Sequence, residues 1–382
     1  MDNSIAHPSH MIWFWIGFIL LVLAMLAIDL GVFHRKAHTV RIKEALAWSA
    51  VWITLALCFN VFIYFAYSNH WLGIGRAANG TVAIDPVDKL PLNGHNAAVK
   101  FFTGYVIEKS LSVDNIFVIA LIFTFFRIPN MYQHRVLFWG IIGALIMRGI
   151  FIGLGAALIA RAHWILYLFG LFLIYTAYKM LTSDEDPDPN QSLAVRWVRK
   201  RFPITHELHG QKFLVRRDQL RGNGLTEPPL AEMNSVAAPV QPSAVAGTST
   251  YVLTPLAMTL VVVEATDLVF AVDSIPAIFA ITGDPFLVFT SNIFAILGLR
   301  ALYFALAGIL DKFVYLKTSL AVVLGLVGLK MLFADLLKQW EFLKHNLSFV
   351  TLGLITLILA TGVVASIVAA RRNQPEPKAP PA

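Results

Sequence analysis

Long apolar stretches are the feature that most constrains the fold of this chain. A bilayer core is about 30 Å thick and an α-helix rises about 1.5 Å per residue, so roughly 20 apolar residues span it. About nine windows of the sequence meet this length. They lie at approximately residues 11–33, 46–67, 101–126, 136–160, 163–182, 251–282, 285–309, 314–337 and 347–370. We therefore predict an all-α polytopic membrane protein with about nine transmembrane helices.

The composition supports this fold class. Of the 382 residues, 57% are apolar and 14% are charged, whereas a soluble domain carries about a quarter charged residues. These values exclude an ordinary water-soluble fold. No Lys or Arg precedes the first apolar stretch, whereas a secretory signal begins with a basic segment. We expect that stretch to be a retained helix.

Basic residues are distributed unevenly between the predicted loops. Most Lys and Arg lie in the odd-numbered loops and at the C-terminus, and the segment "RWVRKRF" at 196–202 is one example. Short cytoplasmic loops are enriched in Lys and Arg, so we place the N-terminus outside and the C-terminus in the cytoplasm. Basic segments below a membrane commonly contact anionic lipid. The expected partner is the lipid bilayer, and no nucleic-acid partner is expected.

The cysteine content and the motifs argue against an enzyme. Cys58 is the only cysteine, which excludes an intrachain disulfide, a thiolate metal cluster and a CxxC redox pair. We expect Cys58 to be a small buried residue. No nucleophile with an adjacent base and no nucleotide-binding loop stands out, so we predict no catalytic residues and no organic cofactor.

Two segments of the sequence resemble each other. "EKSLSVDN" at 108–115 aligns with "DLVFAVDS" at 267–274, and the helix after each carries one arginine, Arg148 or Arg300. The segment between the two sets is not predicted to cross the membrane, so the second set of three helices runs opposite to the first. Such inverted repeats hold a substrate near the membrane midplane and alternate its access to the two sides.

This repeat divides the chain into five predicted regions. The region 183–250 is interpreted as a cytoplasmic linker, partly disordered at its Pro/Ala-rich end "AAPVQPSAVAGTST". The regions are helices 1 and 2 with an extracytoplasmic loop (1–100), the first three-helix repeat (101–182), the linker (183–250), the second three-helix repeat (251–338), and helix 9 with a cytoplasmic tail (339–382).

Carboxylates interrupt the predicted helices. A charged side chain near the membrane centre costs about 3 kcal/mol even on lenient scales, so each needs compensation. Lys109, Arg148 and Arg300 can neutralise three carboxylates as structural ion pairs. The alternative is a bound cation. The six carboxylates are Asp29, which we expect at the interface, and Glu108, Asp114, Glu264, Asp267 and Asp273.

The chemistry of these residues limits which cation they can bind. Carboxylates together with Asn115, Ser274 and freed backbone carbonyls form a hard, oxygen-rich ligand set. Such a set suits Mn²⁺, Ca²⁺ or Mg²⁺ better than Zn²⁺ or Cu⁺. Pro276 cannot complete the hydrogen bonding of a helix. We therefore predict a helix break after "AVDS", which would free a carbonyl near Asp273 as a ligand.

Glu264 and Asp267 are spaced to share one face of a helix. Two carboxylates one turn apart do not both ionise easily in a setting of low dielectric constant. We expect one of them to hold a proton at neutral pH. Exchange of protons for metal follows as a hypothesis.

Three longer blocks resemble a known family. They are "FFTGYVIEKSLSVDNIFV", "VEATDLVFAVDSIPAIFAITGDPF" and "TSNIFAILGLRALYF", and they are similar to the TerC/Alx family of integral membrane proteins, named for tellurite resistance and related to the LysE-type transporter superfamily. The resemblance implies a bacterial inner-membrane protein linked to manganese export and homeostasis. The stretch 222–250 departs from the family as an apparent insertion. By the motif, the functional polar positions are Glu108, Asp114, Asn115, Glu264, Asp267, Asp273 and Asn292.

The resulting hypothesis is an inner-membrane exporter of a divalent metal, with Mn²⁺ as the expected substrate. The carboxylates and Asn115 are the predicted ligands, and supporting roles fall to Lys109, Arg148, Ser274, Asn292 and Arg300. Two alternatives remain open. One is a membrane-bound stress, redox or membrane-protein assembly factor that acts through partner proteins, and the other is a transporter of Ca²⁺ or another solute.

Overall fold

The computed structural model describes residues 11–31, 42–77, 79–162, 164–182, 203, 205, 208–216, 251–306, 315–337 and 340–372. Helices predominate in these ranges, so the all-α fold class is confirmed, and six helices are long and apolar enough to cross a membrane. The predicted N-terminal segment, most of the predicted linker, the C-terminal tail and the side chain of Asp29 lie outside the described residues.

Each of the nine predicted windows overlaps at least one helix. The helices are α1 (Met11–Gly31), α2 (Ile42–Ser68), α3 (Gly94–Phe125), α4 (Asn130–Arg161), α5 (Ile165–Thr182), α6 (Pro255–Phe279), α7 (Pro285–Leu297), α8 (Leu299–Leu306), α9 (Leu316–Leu332), α10 (Ala334–Leu337) and α11 (Glu341–Arg372). A short 3₁₀ turn, Trp71–Gly73, follows α2. Two strands, β1 (Leu214–Arg216) and β2 (Tyr251–Leu253), pair antiparallel.

The predicted helix break near Pro276 is wrong. Helix α6 continues through Pro276 and ends at Phe279. The missing proline N–H removes one helical hydrogen bond, to the Val272 carbonyl, without interrupting the helix. The interruption lies instead at Gly298, between α7 and α8. The window 285–309, predicted as one helix, is therefore two.

The chain divides into two compact units. The first comprises Met1–Phe117, Leu145–Glu185 and Val269–Ala382, and the second comprises Val118–Ala144 and Asp186–Leu268. Helices α3, α4 and α6 each contribute residues to both units.

In the first unit, α5 and α9 form the most extensive helix contact. Leu173 of α5 and Val327 of α9 are fully buried in the apolar core at this contact. Two glycines allow the backbones to approach: a Cβ on Gly328 would lie 2.7 Å from the Gly170 carbonyl oxygen, and one on Gly170 would lie 3.1 Å from the Gly328 oxygen. Small residues at helix crossings are typical of membrane proteins.

Aromatic rings connect α1, α2 and α7 in the same unit. The ring of Phe59 in α2 lies 5.5 Å from that of Phe18 in α1 and 4.7 Å from that of Phe294 in α7. Aromatic pairs at these separations add about 0.5–1.5 kcal/mol beyond their area burial. This cluster fixes α7 against the first two helices.

The outward faces of several helices are apolar. Leu20 of α1, Leu171 of α5 and Leu357 of α11 are each about 60% exposed, as expected where lipid instead of water surrounds the helix. Cys58 of α2 is also exposed. The expectation that it would be buried is therefore wrong, because the periodicity of an almost uniformly apolar helix does not distinguish its lipid face from its core face.

In the second unit, part of the predicted linker is folded. Strand β1 pairs with β2 directly before α6, and the Thr254 hydroxyl donates to the Lys212 carbonyl at 2.8 Å. The Arg135 guanidinium of α4 donates to Gln211 Oε1 at 3.0 Å and lies 5.3 Å from the Phe213 ring centroid. These contacts hold residues 211–213 against the first turns of α4.

We expect Gly328→Ala to destabilise the protein by about 1–3 kcal/mol, because the new methyl group forces two backbones apart in a packed core. Gly325→Ala in the same helix is the matched control, since its Cβ would meet Ala177 Cβ at an ordinary 3.6 Å. Thermal unfolding of the purified variants measures the difference. Equal melting temperatures for the two variants would contradict the assigned crossing.

Candidate functional site

A buried ion pair lies at the centre of the first unit. The guanidinium of Arg148 in α4 donates to the carboxylate of Glu108 in α3, and both side chains are at most 1% exposed. Arg148 also lies 3.3 Å from Ser274 Oγ in α6 and 3.4 Å from Asn292 Oδ1 in α7. We call these four residues the Glu108 cluster. Four helices thus converge on one buried pair.

This contact is the ion pair that the sequence analysis named as one of two interpretations of Glu108 and Arg148. Removing one partner of a buried ion pair costs about 3–5 kcal/mol because the other charge is left uncompensated. Ser274 and Asn292 supply oxygen acceptors for guanidinium protons, as buried donors require. Arg300, the corresponding arginine of the second repeat, is also buried, with 5% exposure.

Asp114 and Asp273 hold the same position in the two repeated motifs and have similar surroundings. Both are half-buried. Asp273 of α6 accepts a hydrogen bond of 3.0 Å from the Thr176 hydroxyl of α5 and interacts electrostatically with Lys179 of that helix. Asp114 of α3 interacts electrostatically with Lys317 of α9. Each aspartate therefore faces the last helix of the opposite predicted repeat.

The predicted ligands do not form one cage in this arrangement. Across the described ranges, no group of three or more Asp, Glu, His or Cys side chains lies close enough to hold a metal ion. Arg148 contacts Glu108 instead, and a lysine interacts electrostatically with each of Asp114 and Asp273. Asn115 is buried in α3. Metal binding by this set stays a prediction.

The second unit contains the other two predicted ligands. Glu264 and Asp267 lie one turn apart on α6 and interact electrostatically. The Glu264 carboxylate occupies the space where a Cβ on Gly143 of α4 would lie. Its Oε2 atom is buried and has no hydrogen-bond partner among the described residues. Gly143 therefore makes room for a carboxyl group, which the sequence had not suggested.

Sequence reasoning missed a second buried charge cluster, formed by the loop between α2 and α3. Lys100 is fully buried and donates to Asp85 Oδ2 at 2.9 Å and to Asp88 Oδ1 at 2.8 Å. Thr282 and the Gly283 N–H, which follow α6, also donate to Asp85. We call Asp85, Asp88, Lys100 and Thr282 the Lys100 cluster. The available signal was a lysine at the edge of an apolar window, preceded by the turn-rich "DPVDKLP".

The Lys100 cluster is continuous with the start of α7. Asp284 caps this helix by accepting from the N–H groups of Phe286 and Leu287, and the Tyr67 hydroxyl of α2 donates to it at 2.9 Å. A side-chain cap of this kind contributes about 1 kcal/mol. The loop before α3, the end of α2 and the start of α7 are thereby joined.

The charge state of Asp85 follows from these contacts. Burial by itself would raise the pKa of this carboxyl group, but the Lys100 ammonium and hydrogen bonds from Thr282, Val87 and Gly283 outweigh it. The net effect lowers the pKa of Asp85 below its usual value near 3.8. Ionised Asp85 therefore stabilises the folded chain.

Comparison with known proteins shows that the predicted site residues all lie within one continuous region that matches a protein family. The sequence model of the integral membrane protein TerC family matches residues 93–374, which include every predicted site residue. The uncharacterized membrane protein STKORF319 of Myxococcus xanthus is 45% identical over 303 residues, or 79% of this chain and 77% of the relative.

Two further relatives carry the name "Putative membrane-bound redox modulator Alx". The protein of Escherichia coli K12 is 42% identical over 301 residues, covering 78% of this chain and 79% of the relative. That of Photorhabdus laumondii is 38% identical over 316 residues, covering 82% of each chain. No solved structure matches the chain.

We expect Asp85→Asn to lower the melting temperature at pH 7, because it removes a carboxylate that a buried ammonium requires. A lowered pKa in the folded state gives a stabilisation that is present above the usual value near 3.8 and is lost as the pH falls through the lower folded value. The difference in melting temperature between the wild type and the variant should therefore shrink below about pH 4. Thermal unfolding between pH 7 and pH 3 measures it. A difference that is constant over this range would refute the assignment.

Proposed function

Because the chain belongs to the integral membrane protein TerC family, we propose that it exports a divalent metal cation, with Mn²⁺ as its substrate, across a bacterial inner membrane. The observation that carries the proposal is the Glu108 cluster. A carboxylate, a hydroxyl and an amide oxygen are buried where four apolar helices meet. Ionisable groups inside a membrane are costly and commonly mark an ion or substrate pathway.

The chemistry of the cluster favours a hard cation. Glu108, Ser274 and Asn292 offer oxygen atoms, as do Asp114 and Asp273 nearby in the sequence motifs. Oxygen ligands suit Mn²⁺, Mg²⁺ and Ca²⁺, while Zn²⁺ and Cu⁺ prefer nitrogen and sulfur. The neutral oxygens around the carboxylate would complete the coordination of an ion that gives up part of its hydration shell.

Basic side chains beside the carboxylates would affect how tightly a dication binds and how readily it leaves. Arg148 balances Glu108, and Lys317 and Lys179 interact with Asp114 and Asp273. An entering dication must displace these cations, so each carboxylate binds it only weakly. Weak binding at several positions favours release, which transport requires. In this proposal the carboxylates converge on the ion only in part of an alternating-access cycle.

Glu264 is the proposed site of proton exchange. Its carboxyl group is buried beside Gly143, with Asp267 one turn away. A protonated acid avoids the cost of burying a charge. Protons entering from outside would neutralise such acids as the metal leaves.

We expect Asp114→Asn and Asp273→Asn each to reduce Mn²⁺ flux in proteoliposomes by about tenfold or more. Each variant removes a negative charge from the proposed ion site, and a loss of about 1.4 kcal/mol weakens the binding constant for the ion tenfold. Glu44→Gln in the first turn of α2 is the matched control and should retain flux. Measuring whether added Ca²⁺ reduces Mn²⁺ flux shows whether the chain also accepts Ca²⁺ as a substrate. Wild-type flux in both aspartate variants, with intact folding, would rule out the carboxylate pathway.

A second candidate function is redox modulation, which is suggested by the name of the Alx relatives. The chain has one cysteine, so a direct thiol reaction would need a partner molecule. Cys58 is exposed on α2, a helix long and apolar enough to cross the membrane, so such a partner would have to reach it from the lipid.

The variant Cys58→Ser separates the two candidates. If the chain acts as a metal exporter, we expect this variant to keep both Mn²⁺ flux and protection of cells from oxidants, because no predicted ligand is touched. Asp114→Asn should then lose both. Loss of protection in Cys58→Ser with normal flux would favour the thiol mechanism.

A further inference from the structure

The loop between α2 and α3 exposes large apolar side chains. Trp71 and Leu72, in the 3₁₀ turn after α2, are 44% and 50% exposed. Val82 and Ile84 are exposed as well, and they alternate with the buried Ala83, so they share an outward face of the loop. Neighbouring exposed apolar side chains commonly mark a surface that contacts a membrane or another protein.

The Trp71 ring lies against the outward side of α2. Its centroid is 5.8 Å from that of Phe62, a residue of α2 that is itself exposed. Phe62 precedes the end of α2 at Ser68 by six residues, or about 9 Å along the helix axis. Helical side chains also tilt towards the N-terminus of their helix. The chain after α2 therefore folds back, and the Trp71 ring reaches along a helix that is long and apolar enough to cross a membrane.

The apolar surface of α1 and α2 continues onto this turn. The ring of Phe14, in the first turn of α1, lies 6.2 Å from that of Phe62, and the 3₁₀ turn also contacts α1. Trp13 of α1 and Tyr64 of α2 are exposed at this end of the two helices. Trp and Tyr are enriched where lipid meets water, because their rings are apolar and their N–H or O–H groups stay hydrated. Together with Trp71, they indicate this boundary.

The backbone of the turn adopts a conformation that is uncommon for its residues. His70 and Leu72 have φ angles of 48° and 51°, in the left-handed region that residues other than glycine rarely adopt. The loop is packed closely on the end of α2, since a Cβ on Gly75 would lie 2.8 Å from the Leu92 carbonyl oxygen and 2.9 Å from the Tyr67 ring. Such conformations persist where surrounding contacts fix them, often at functional positions. The turn is therefore a rigid support for its two exposed side chains.

We propose that Trp71 and Leu72 insert into the lipid interface at this end of α2, so that the loop between α2 and α3 is anchored on the membrane surface and does not project into water. A bilayer fits better than a protein partner because the exposed surface is continuous with that of a membrane-spanning helix. The loop also carries Asp85 and Asp88. The anchor thus fixes the Lys100 cluster close to the membrane boundary. The inference goes beyond the proposed function.

The test measures the depth of a nitroxide label on the loop of the full-length chain in nanodiscs of phosphatidylcholine and phosphatidylglycerol. Cys58→Ser removes the native thiol, and Leu72→Cys or Asn79→Cys then provides one thiol for the label. Asn79 is the matched control, as an exposed polar residue of the same loop. Oxygen concentrates in lipid and a nickel chelate in water. The ratio of their collision rates with the label, oxygen to nickel, should be several-fold higher at position 72 than at position 79.

Leu357→Cys, on the exposed apolar face of α11, gives the value for a lipid-facing site. The ratio at position 72 should lie between those at positions 79 and 357. Equal ratios at positions 72 and 79 would overturn the proposal, since the turn would then lie in water and be free for a protein partner.

Two further variants assign the anchoring to Trp71. Trp71→Ala, added to the labelled Leu72→Cys chain, should lower the ratio at position 72 towards that at position 79, because the ring that holds the turn against lipid is removed. Trp71→Phe is the conservative control and should keep most of the ratio, since it retains an apolar ring. An unchanged ratio in Trp71→Ala would overturn the assignment.

A measurement on the native turn decides the question if Leu72→Cys is not recovered as folded protein. Lipids brominated near the glycerol end of the acyl chain quench the fluorescence of Trp residues that they contact. The chain has nine Trp residues, and Trp71→Phe should reduce the part of the emission that brominated lipid removes. If that part is as large in Trp71→Phe as in the wild type, Trp71 does not contact lipid and the proposal is wrong. None of these measurements involves Mn²⁺, so a failure of the proposed export function is distinguishable from a failure of this inference.

Discussion

Compensation of buried charge is the constraint on which the first compact unit depends. Glu108 with Arg148 and Lys100 with Asp85 and Asp88 each place opposite charges in contact where water is excluded. Losing one partner of such a pair costs about 3–5 kcal/mol, a large share of the stability of a protein. The helices that carry these side chains are therefore held in one arrangement. The residues proposed for function therefore also stabilise the fold.

The charge clusters differ in what they offer a ligand. In the Lys100 cluster, two carboxylates accept from one ammonium, and neutral groups also donate to Asp85, so a fixed structure results. In the Glu108 cluster, Arg148 contacts the carboxylate. The Lys109 ammonium donates to the neutral Ala295 carbonyl near the end of α7. In the last two arrangements a single contact with a basic side chain is shown for the oxygen.

The sequence predicted the helices well and their interruptions poorly. Apolar runs of membrane-spanning length recur along the chain, and each of the nine windows contains a helix. Pro276 was a misleading signal because a proline removes a single helical hydrogen bond, and α6 continues past it to Phe279. The break at Gly298 has no comparable local signal. Its neighbours, Lys109 and Trp52, come from helices distant in the sequence.

The sequence by itself determined the membrane class, the repeated motifs and the identity of the acidic residues within apolar helices, because length, hydropathy and spacing are local properties of the chain. Only the tertiary structure decided which cation compensates each acid. Glu108 meets Arg148, 40 residues away, and Asp273 interacts with Lys179 of α5. Such pairings depend on helix packing and on the room that Gly143 and Gly298 leave, and several basic residues were chemically equivalent candidates before the helices were packed.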